Sequence, residues 1–209
     1  MQLVLASNNA KKLSELRVLL SGLPLTLVAQ GDLRIAEADE PFATFVENAL
    51  HKARAAARAS GGPAIADDSG LCVDALGGAP GVASAVFAGV VPTQTDREAQ
   101  RARQDAANNA LLLQRMTGVA ARGARFVCTL VALRSAADPE PLIAQGRWEA
   151  EVLHAPQGQG GFGYDPLVCI PSLGLSVAEL ASSQKNACSH RALAAVLLVR
   201  QLREVWRLG

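Results

Sequence analysis

Short apolar runs alternate with helical periodicities over the first half of the chain. Residues 2–6, 25–29 and 63–66 are apolar runs of the length expected for buried strands. Between them, apolar residues recur at helical spacing near 9–21 and 44–60, which predicts two helices with a polar side. This alternation of strand and helix is typical of an α/β fold.

The second half of the pattern adds one helix and then long strands. The segment 95–98 has the form of a capping box, which predicts a helix that continues to about residue 116. Long strands are predicted at 124–133 and 142–153. These two strands are expected to form a hairpin, and a last helix is predicted after Ser189.

Length and composition narrow the class of protein. With 209 residues and no segment that resembles a linker, the chain is expected to form one domain of two lobes, residues 1–209. The formal net charge is +1, and the aromatic residues are five Phe, two Trp and one Tyr. A nucleic-acid surface would need a basic stripe with stacking aromatic rings. We therefore expect no nucleic-acid partner.

Hydropathy and cysteine spacing indicate a cytoplasmic protein. The longest strongly apolar run, 192–199, is much shorter than a membrane span, and the polar residues 7–9 come too early for a signal peptide. We therefore expect no membrane association. The cysteines are far apart along the chain, so they are expected to be reduced side chains rather than disulfides or metal ligands: Cys72, Cys128, Cys169 and Cys188.

Lysine placement is the first indication of a chemical site. Only four of the twenty Lys and Arg side chains are lysines, and each stands where a phosphate site could be built: Lys11, Lys12, Lys52 and Lys185. A helix start carries positive partial charge, so a cation there is unfavourable unless an anion offsets it. Lys11-Lys12 and His190-Arg191 stand at predicted helix starts, and phosphate is the usual anion. Alternatively, these are solvated helix ends.

Two adjacent carboxylates are the second indication. Asp67 and Asp68 follow the predicted strand at 63–66 and precede a predicted turn, which places them at the edge where open α/β sheets hold their ligands. Carboxylates in such a place suit Mg²⁺, which completes its shell with water and phosphate oxygens. Alternatively, the acids of a simple turn face solvent. A nearby acidic group is weaker evidence by itself: Glu37, Asp39 and Glu40.

A glycine-rich segment at 158–166 is the third indication. Its first six residues match the dinucleotide-binding fingerprint, but Pro166 and a strand-like stretch follow where that motif requires a helix. A Rossmann site is therefore excluded. The segment could instead hold a flat purine, with Phe162 as the stacking face and Asp165 with backbone amides reading the base edge. An ordinary glycine turn is the alternative.

Six segments together resemble the inosine/xanthosine triphosphate pyrophosphatases. They occur in that family's order and span nearly the whole chain, which makes the joint match far more specific than any single segment. The segments are Ser7-Asn8-Asn9-Ala10-Lys11-Lys12, Phe45-Val46-Glu47-Asn48-Ala49 with Lys52-Ala53, Ala66-Asp67-Asp68-Ser69-Gly70-Leu71, Leu76-Gly77-Gly78-Ala79-Pro80-Gly81, Gly161-Phe162-Gly163-Tyr164-Asp165-Pro166, and Lys185 with Ser189-His190-Arg191.

The resemblance implies a fold and a reaction. The implied fold is a long mixed twisted sheet with flanking helices and two lobes around a central cleft, assembled as a homodimer. The implied enzyme is a nucleoside triphosphate pyrophosphatase that hydrolyses ITP, dITP and XTP to the monophosphate and pyrophosphate. It uses Mg²⁺ and removes deaminated purines from the nucleotide pool.

The resemblance also assigns roles to residues of this chain. Asp68 would be the proton acceptor and a metal ligand, Glu40 the second metal ligand, and Lys12 the cation closest to the chemistry. Ser69 would touch the substrate. The triphosphate would be held by Ser7, Asn8, Asn9, Ala10, Lys11, Lys12 and Lys52. The base would be enclosed by Phe162, Gly163, Tyr164, Asp165, Lys185, His190 and Arg191.

Departures from the family pattern keep two alternatives open. The family usually carries a tyrosine and an arginine where this chain has Ala83 and Val86, and Phe42 replaces a glycine beside Glu40. One alternative is a nucleotide pyrophosphatase for another base, such as dTTP, UTP or a modified pyrimidine. The other is a non-catalytic nucleotide-binding module, which would have little need of Asp68. No P-loop motif occurs, which excludes a P-loop NTPase.

Overall fold

A seven-stranded mixed sheet organises the chain. The structure is a computed structural model that describes residues 1–90 and 97–209. Within these residues the strands lie in the order β2-β1-β3-β4-β5-β6-β7. They are β1 (Gln2–Leu5), β2 (Thr26–Ala29), β3 (Ala64–Val73), β4 (Gly123–Leu133), β5 (Leu142–Val152), β6 (Val168–Ile170) and β7 (Leu175–Ser176).

Strand pairing explains why the sheet is mixed. β1 pairs in parallel with both β2 and β3, as expected where helical crossovers connect consecutive strands. β6 pairs antiparallel with both β5 and β7. The predicted mixed α/β sheet with flanking helices is therefore confirmed.

Five α-helices accompany the sheet in the described part of the chain. They are α1 (Ala10–Leu19), α2 (Phe45–Ser60), α3 (Arg97–Arg115), α4 (Ser182–Cys188) and α5 (His190–Glu204). The predicted helices near 9–21 and 44–60 are confirmed as α1 and α2. The helix predicted to end near 116 is confirmed as α3, whereas residues 95 and 96 of its proposed capping box lie outside the described residues.

Alternate residues of β1 pack into two separate apolar clusters, because successive side chains of a strand point to opposite faces. Leu3 and Leu5 belong to a cluster that also contains leucines of α1 and α5. Val4 and Ala6 belong to a cluster with the alanine face of α2. Both faces of the amino-terminal strand are thus covered by helices, which explains its continuous apolar sequence.

Glycine 146 shows how tightly α5 packs on the sheet. A side-chain β-carbon built on Gly146 of β5 would collide with the carbonyl of His190 and the amide of Ala194. Only glycine therefore lets the first turn of α5 lie directly on β5. This contact sets the position of His190 and Arg191, the first two residues of the helix.

Contacts along the chain separate two compact units. One comprises Met1–Ser69, Cys128–Arg147 and Cys188–Gly209, and the other comprises Gly70–Val127 and Trp148–Ala187. Both units are thus assembled from segments that are distant in sequence. Among the described residues, every helix is too short or too polar to cross a membrane.

Candidate active site

The central strand β3 presents two neighbouring carboxylates to opposite faces of the sheet. The prediction that a turn follows Asp68 is wrong, because β3 continues through Ser69 and Gly70 to Val73. Side chains alternate along a strand. Asp67 and Ser69 consequently share one face, where the Ser69 hydroxyl donates to Asp67 Oδ1 at 2.8 Å, and Asp68 occupies the other.

Lys52 of α2 is the partner of Asp68. Its Nζ donates to Asp68 Oδ1 at 2.8 Å, to Glu40 Oε1 at 2.5 Å and to the backbone oxygen of Asp67 at 3.1 Å. These three acceptors match the three protons of the ammonium group. Burial alone would lower the pKa of Lys52, but the charges of Asp68 and Glu40 outweigh burial and raise it. Lys52 is therefore a fixed cation.

The negative charge of Asp68 is less well compensated than the positive charge of Lys52. Burial raises the pKa of the Asp68 carboxyl and the charge of Glu40 adds to the rise, whereas Lys52 opposes it. Its second oxygen, Oδ2, is buried without a hydrogen-bond partner among the described residues. A buried acceptor in this state is costly unless something donates to it or binds it. Asp68 Oδ2 is thus suited to accept a proton or to bind a cation.

The donor set fits a metal ion that needs few protein ligands. Within the described residues, no group of three or more His, Cys, Asp and Glu side chains is arranged to hold a metal. Asp68 and Glu40 nevertheless meet at Lys52 Nζ, and the Glu40 side chain is 39% exposed. Mg²⁺ typically takes one or two carboxylates and fills its shell with water and phosphate oxygens. The unpartnered Asp68 Oδ2 is consistent with such an ion.

Asp67, which the sequence indicated only as one of two paired carboxylates suited to Mg²⁺, is the most connected acid of the site. Lys12 Nζ donates to its Oδ1 at 2.6 Å, and Arg191 Nε donates to its Oδ2 at 2.6 Å. Burial alone would raise the pKa of Asp67, but the charges of Arg191 and Lys12 outweigh it and hold the pKa well below its usual range. The only sequence signal was its position beside Asp68.

Cys128 of β4 completes the surroundings of Asp67. Its thiol donates to Asp67 Oδ2 at 3.3 Å. Burial and the charge of Asp67 hold the pKa of the thiol well above its usual range, so the group remains a protonated donor. The expected reduced state of Cys128 agrees with the structure, in which its buried sulfur is a thiol.

Arg191 is buried in the same network. Its guanidinium contacts Asp67, donates to the Ser69 hydroxyl at 3.0 Å and pairs with Glu15 of α1. Lys12 and Arg191 both lie in the first turn of their helices, where a cation needs a compensating anion. The structure supplies that anion from within the chain, because Asp67 pairs with both.

The residues before Lys12 build the turn that starts α1. Asn9 is the N-cap, with Oδ1 accepting from the amides of Lys11 and Lys12, and the amide of Asn9 donates to Ser7 Oγ at 3.1 Å. Asn8 packs against Gly31, where any β-carbon would collide with the Asn8 side chain. These side chains thus hold the turn itself, whereas Ala10 and Lys11 are exposed.

The other compact unit contains a second group of predicted site residues. Asp165 Oδ2 accepts from the amide of Phe162 at 2.8 Å and from Lys185 Nζ at 2.7 Å. The same ammonium lies 4.4 Å from the centroid of the Phe162 ring, a cation–π contact. Gly161 has φ +74°, and a β-carbon there would collide with Asp165. Glycine is therefore required for this loop.

Tyr164 is anchored to a segment that lies earlier in the chain. Its hydroxyl donates to the backbone oxygen of Ser84 at 2.9 Å, and burial raises its pKa, so the phenol stays a neutral donor. Ser84 belongs to the 3₁₀ segment Gly81–Val86, in which Ala83 and Val86 are exposed. The departures from the family pattern thus lie on a surface, where they leave this anchor intact.

Most of the other predicted site residues belong to one of two clusters, one in each unit, whereas residues 7–11 form the turn that starts α1. We call the first the ionic cluster, and it contains Lys12, Glu15, Glu40, Lys52, Asp67, Asp68, Ser69 and Arg191. We call the second the aromatic cluster, and it contains Phe162, Gly163, Tyr164, Asp165 and Lys185. His190 and Arg191, predicted to read the base, belong to the unit of the ionic cluster.

Comparisons with known proteins agree along the whole chain. The sequence model described as Ham1 family matches residues 3–201. The dITP/XTP pyrophosphatase of Methylibium petroleiphilum is 65% identical, with 99% of each chain covered, and that of Leptothrix cholodnii is 63% identical, with 100% of each covered.

Solved structures give the same result. A HAM1 protein from Coxiella burnetii superposes with a TM-score of 0.87 at 40% identity, covering 98% of this chain and 100% of that one. The Staphylococcus aureus Ham1 protein superposes with a TM-score of 0.82 at 34% identity, covering 97% and 98%. Motifs, fold and relatives coincide over the same residues, and the chain belongs to the Ham1 family.

Proposed function

We propose that this chain hydrolyses ITP, dITP and XTP to the nucleoside monophosphate and pyrophosphate. The observation that carries the proposal is Asp68, a buried carboxylate with a raised pKa, one oxygen held by Lys52 and the other without a partner among the described residues. The names of the relatives support the substrate class, since they are dITP/XTP pyrophosphatases.

Asp68 is proposed as the proton acceptor for the attacking water. Its raised pKa makes it a stronger base than an ordinary carboxylate, and Lys52 fixes its Oδ1, so Oδ2 is the atom that takes the proton. The water oxygen forms a bond to the α-phosphorus. The bond from that phosphorus to the oxygen bridging the α- and β-phosphates breaks, and pyrophosphate leaves with the electron pair.

Two lysines are proposed to stabilise the charge of the triphosphate. The Lys12 side chain is 17% exposed and that of Lys52 is 9% exposed, so Lys12 is the more accessible cation. Asp67 holds Lys12, and this anchoring limits the freedom that the ammonium loses when a phosphate binds. We assign Ser69 and the turn at 7–11 to the same end of the substrate.

Asp68 and Glu40 are proposed to hold Mg²⁺. When bound, the ion supplies Lewis-acid polarisation of phosphate oxygens. The pairing of both carboxylates with one lysine supports this assignment, because it brings the two acids to a common point.

The aromatic cluster is proposed to select the base, together with His190 and Arg191. Phe162 offers a ring face for stacking, and the Lys185 ammonium, 4.4 Å from the ring centroid, is a donor beside it. The 6-oxo group of hypoxanthine or xanthine accepts hydrogen bonds, whereas the adenine amino group donates them. Donors committed to that oxygen would be left unpaired by ATP, which disfavours ATP strongly.

The biological setting is also part of the proposal. We place the enzyme in the cytoplasm as a homodimer that acts on free nucleotides, without nucleic acid or a membrane as partner. The net charge of +1 supports the absence of a nucleic-acid partner. Analytical ultracentrifugation tests the dimer, and a single species at the monomer mass of 21.7 kDa would contradict it.

A product-resolved assay tests the reaction. Purified protein is incubated with Mg²⁺ and either ITP, dITP, XTP, the four standard nucleoside triphosphates or dTTP, and pyrophosphate and orthophosphate are quantified separately. We expect rapid release of pyrophosphate with IMP or XMP, little turnover of ATP and GTP, and loss of activity with EDTA. Binding of ITP without turnover would indicate a non-catalytic module, and preference for dTTP or UTP would indicate a pyrimidine enzyme.

A further inference from the structure

One face of α3 holds both polar backbone atoms of Gly163. The Gly163 amide donates to Asp105 Oδ2 at 2.8 Å, and Asn109 Nδ2 donates to the Gly163 oxygen at 2.9 Å. Asp105 and Asn109 are four residues apart, so their side chains lie on the same side of the helix in consecutive turns. Together they fix the peptide groups on both sides of Gly163.

Gly163 is the residue at which this segment turns. Its φ is +62°, and it lies between the proposed stacking residue Phe162 and the anchored Tyr164. Glycine has the least conformational restriction of all residues, so its own backbone does not hold this geometry. The two side chains of α3 supply the constraint that the glycine lacks.

Asn108, the neighbour of Asn109, extends the same support to a second loop. Its Nδ2 donates to the oxygens of Ser84 and Ala85 at 3.2 and 3.0 Å, and its Oδ1 accepts from the amide of Ala88 at 2.9 Å. The Ser84 oxygen also accepts from Tyr164. The helix thus holds the aromatic cluster twice, directly at Gly163 and indirectly through Ser84.

We propose that Asp105 and Asn109 are positioning residues that set the base selectivity of the aromatic cluster. The inference rests on the proposed function, and it adds residues that none of the recognised motifs contains. Discrimination by hydrogen bonding requires donors held in a fixed geometry, since these bonds weaken steeply with angle and distance. Loss of either contact frees the segment beside Phe162 and weakens base binding, while the ionic cluster is unchanged.

Kinetics of four variants tests this inference. Asp105→Ala and Asn109→Ala each remove one contact, Asp105→Asn keeps an oxygen acceptor, and Arg103→Ala changes an exposed residue of the same helix. We measure KM and kcat for ITP and ATP and the inhibition constant of inorganic tripolyphosphate, which has no base. Thermal unfolding reports whether each variant is folded.

We expect the alanine variants to weaken recognition of the base and to leave recognition of the phosphates unchanged. Both alanine variants should raise KM for ITP about tenfold, equivalent to about 1.4 kcal/mol, and keep kcat within about threefold. The ITP preference over ATP should fall, and the tripolyphosphate constant should not change. Asp105→Asn should recover most of the affinity, and Arg103→Ala should behave as wild type.

Several outcomes would overturn the inference. An unchanged KM and an unchanged preference in both alanine variants would remove the proposed role, and so would a rise in the tripolyphosphate constant equal to the rise in KM. If Asp105→Ala does not fold, the Asn109→Ala variant alone tests the inference. It removes only one hydrogen bond between uncharged groups, so we expect it to fold. Failure of the wild-type protein to hydrolyse ITP would instead refute the proposed function and this inference with it.

Discussion

The two faces of β3 hold neighbouring carboxylates in opposite electrostatic states. Asp67 lies between two cations, Lys12 and Arg191, and its pKa is held well below the usual range. Asp68 shares the single cation Lys52 with Glu40, and its pKa is raised. Burial opposes ionisation of both, so the number of cations for each carboxylate makes the difference.

This difference is the basis on which we propose Asp68, rather than Asp67, as the reactive acid. Both oxygens of Asp67 are occupied by donors, so it anchors Lys12 and Arg191 and remains ionised. Asp68 keeps one oxygen without a partner among the described residues, and its raised pKa favours proton transfer. Substitution of Asp68 should therefore affect mainly turnover, whereas substitution of Asp67 should affect mainly stability.

The largest expected effect is a loss of turnover when Asp68 is replaced. Asp68→Asn should lower kcat for ITP by about 10²–10⁴-fold, because it removes the proton acceptor and a proposed metal ligand. Substrate binding, measured by calorimetry with ITP, should change much less. A kcat within a few fold of wild type would show that another group takes the proton.

The matching change in Asp67 should affect stability most. Asp67→Asn leaves Arg191 and Lys12 without their shared anion in a buried site, at a cost of about 3 kcal/mol in the free energy of unfolding. Urea denaturation at pH 7 measures it. Asp68→Asn is the matched control and should cost less, because Lys52 retains Glu40. Equal losses for the two variants would contradict the comparison.

Acidification should remove the contribution of Asp67 to the free energy of unfolding. A carboxyl group with a depressed native pKa stabilises the fold above the unfolded-state value, about 3.9, and this contribution is lost as the pH falls through the native pKa. The difference in unfolding free energy between wild type and Asp67→Asn should therefore shrink below about pH 4. For Asp68, whose native pKa is raised, protonation should instead favour the native state. A constant difference down to pH 2 would contradict the assignment.

Lys12→Ala should have an intermediate effect on both binding and rate. The variant removes a proposed phosphate contact and one of the two cations that pair with Asp67, so we expect KM for ITP to rise and kcat to fall, each about tenfold. Steady-state kinetics with ITP measures both. Arg58→Ala is a suitable control, because Arg58 is an exposed cation of α2 that belongs to neither cluster. An unchanged kcat would show that Lys12 is not the cation that assists the chemical step.

The smallest expected effect concerns Cys128. Cys128→Ala removes one weak thiol hydrogen bond to Asp67 and a small buried volume, so the unfolding free energy should fall by about 1 kcal/mol with little change in kcat. Urea denaturation and ITP kinetics measure the two quantities. A large loss of activity would show that the thiol contributes more than support.

Much of the fold could be predicted because its signals are local. The apolar run and polar turn before Lys11 correctly placed β1 and the start of α1, and helical spacing correctly placed α2. The end of β3 was predicted wrongly. Charged residues usually mark a strand end, but here the partners of Asp67 and Asp68 come from three different helices, which keeps the strand continuous.

Support from distant segments could not be predicted. Arg191 and Asp67 are separated by 124 positions, and Gly163 and Asp105 by 58. Neither Asp105 nor Asn109 stands out in sequence, because polar residues on a helix are ordinarily solvated. Only contacts made by the folded chain distinguish them from exposed neighbours such as Arg103.

The sequence by itself determined the family, the α/β class and the residue types available for chemistry, because ordered motifs and local periodicity carry that information. The tertiary structure alone decided which of two adjacent acids has a lowered pKa and which has a raised pKa. The reason is physical: the pKa of a buried carboxylate depends on the charges that surround it, and the folded chain brings Lys12, Lys52 and Arg191 to β3 from three different helices.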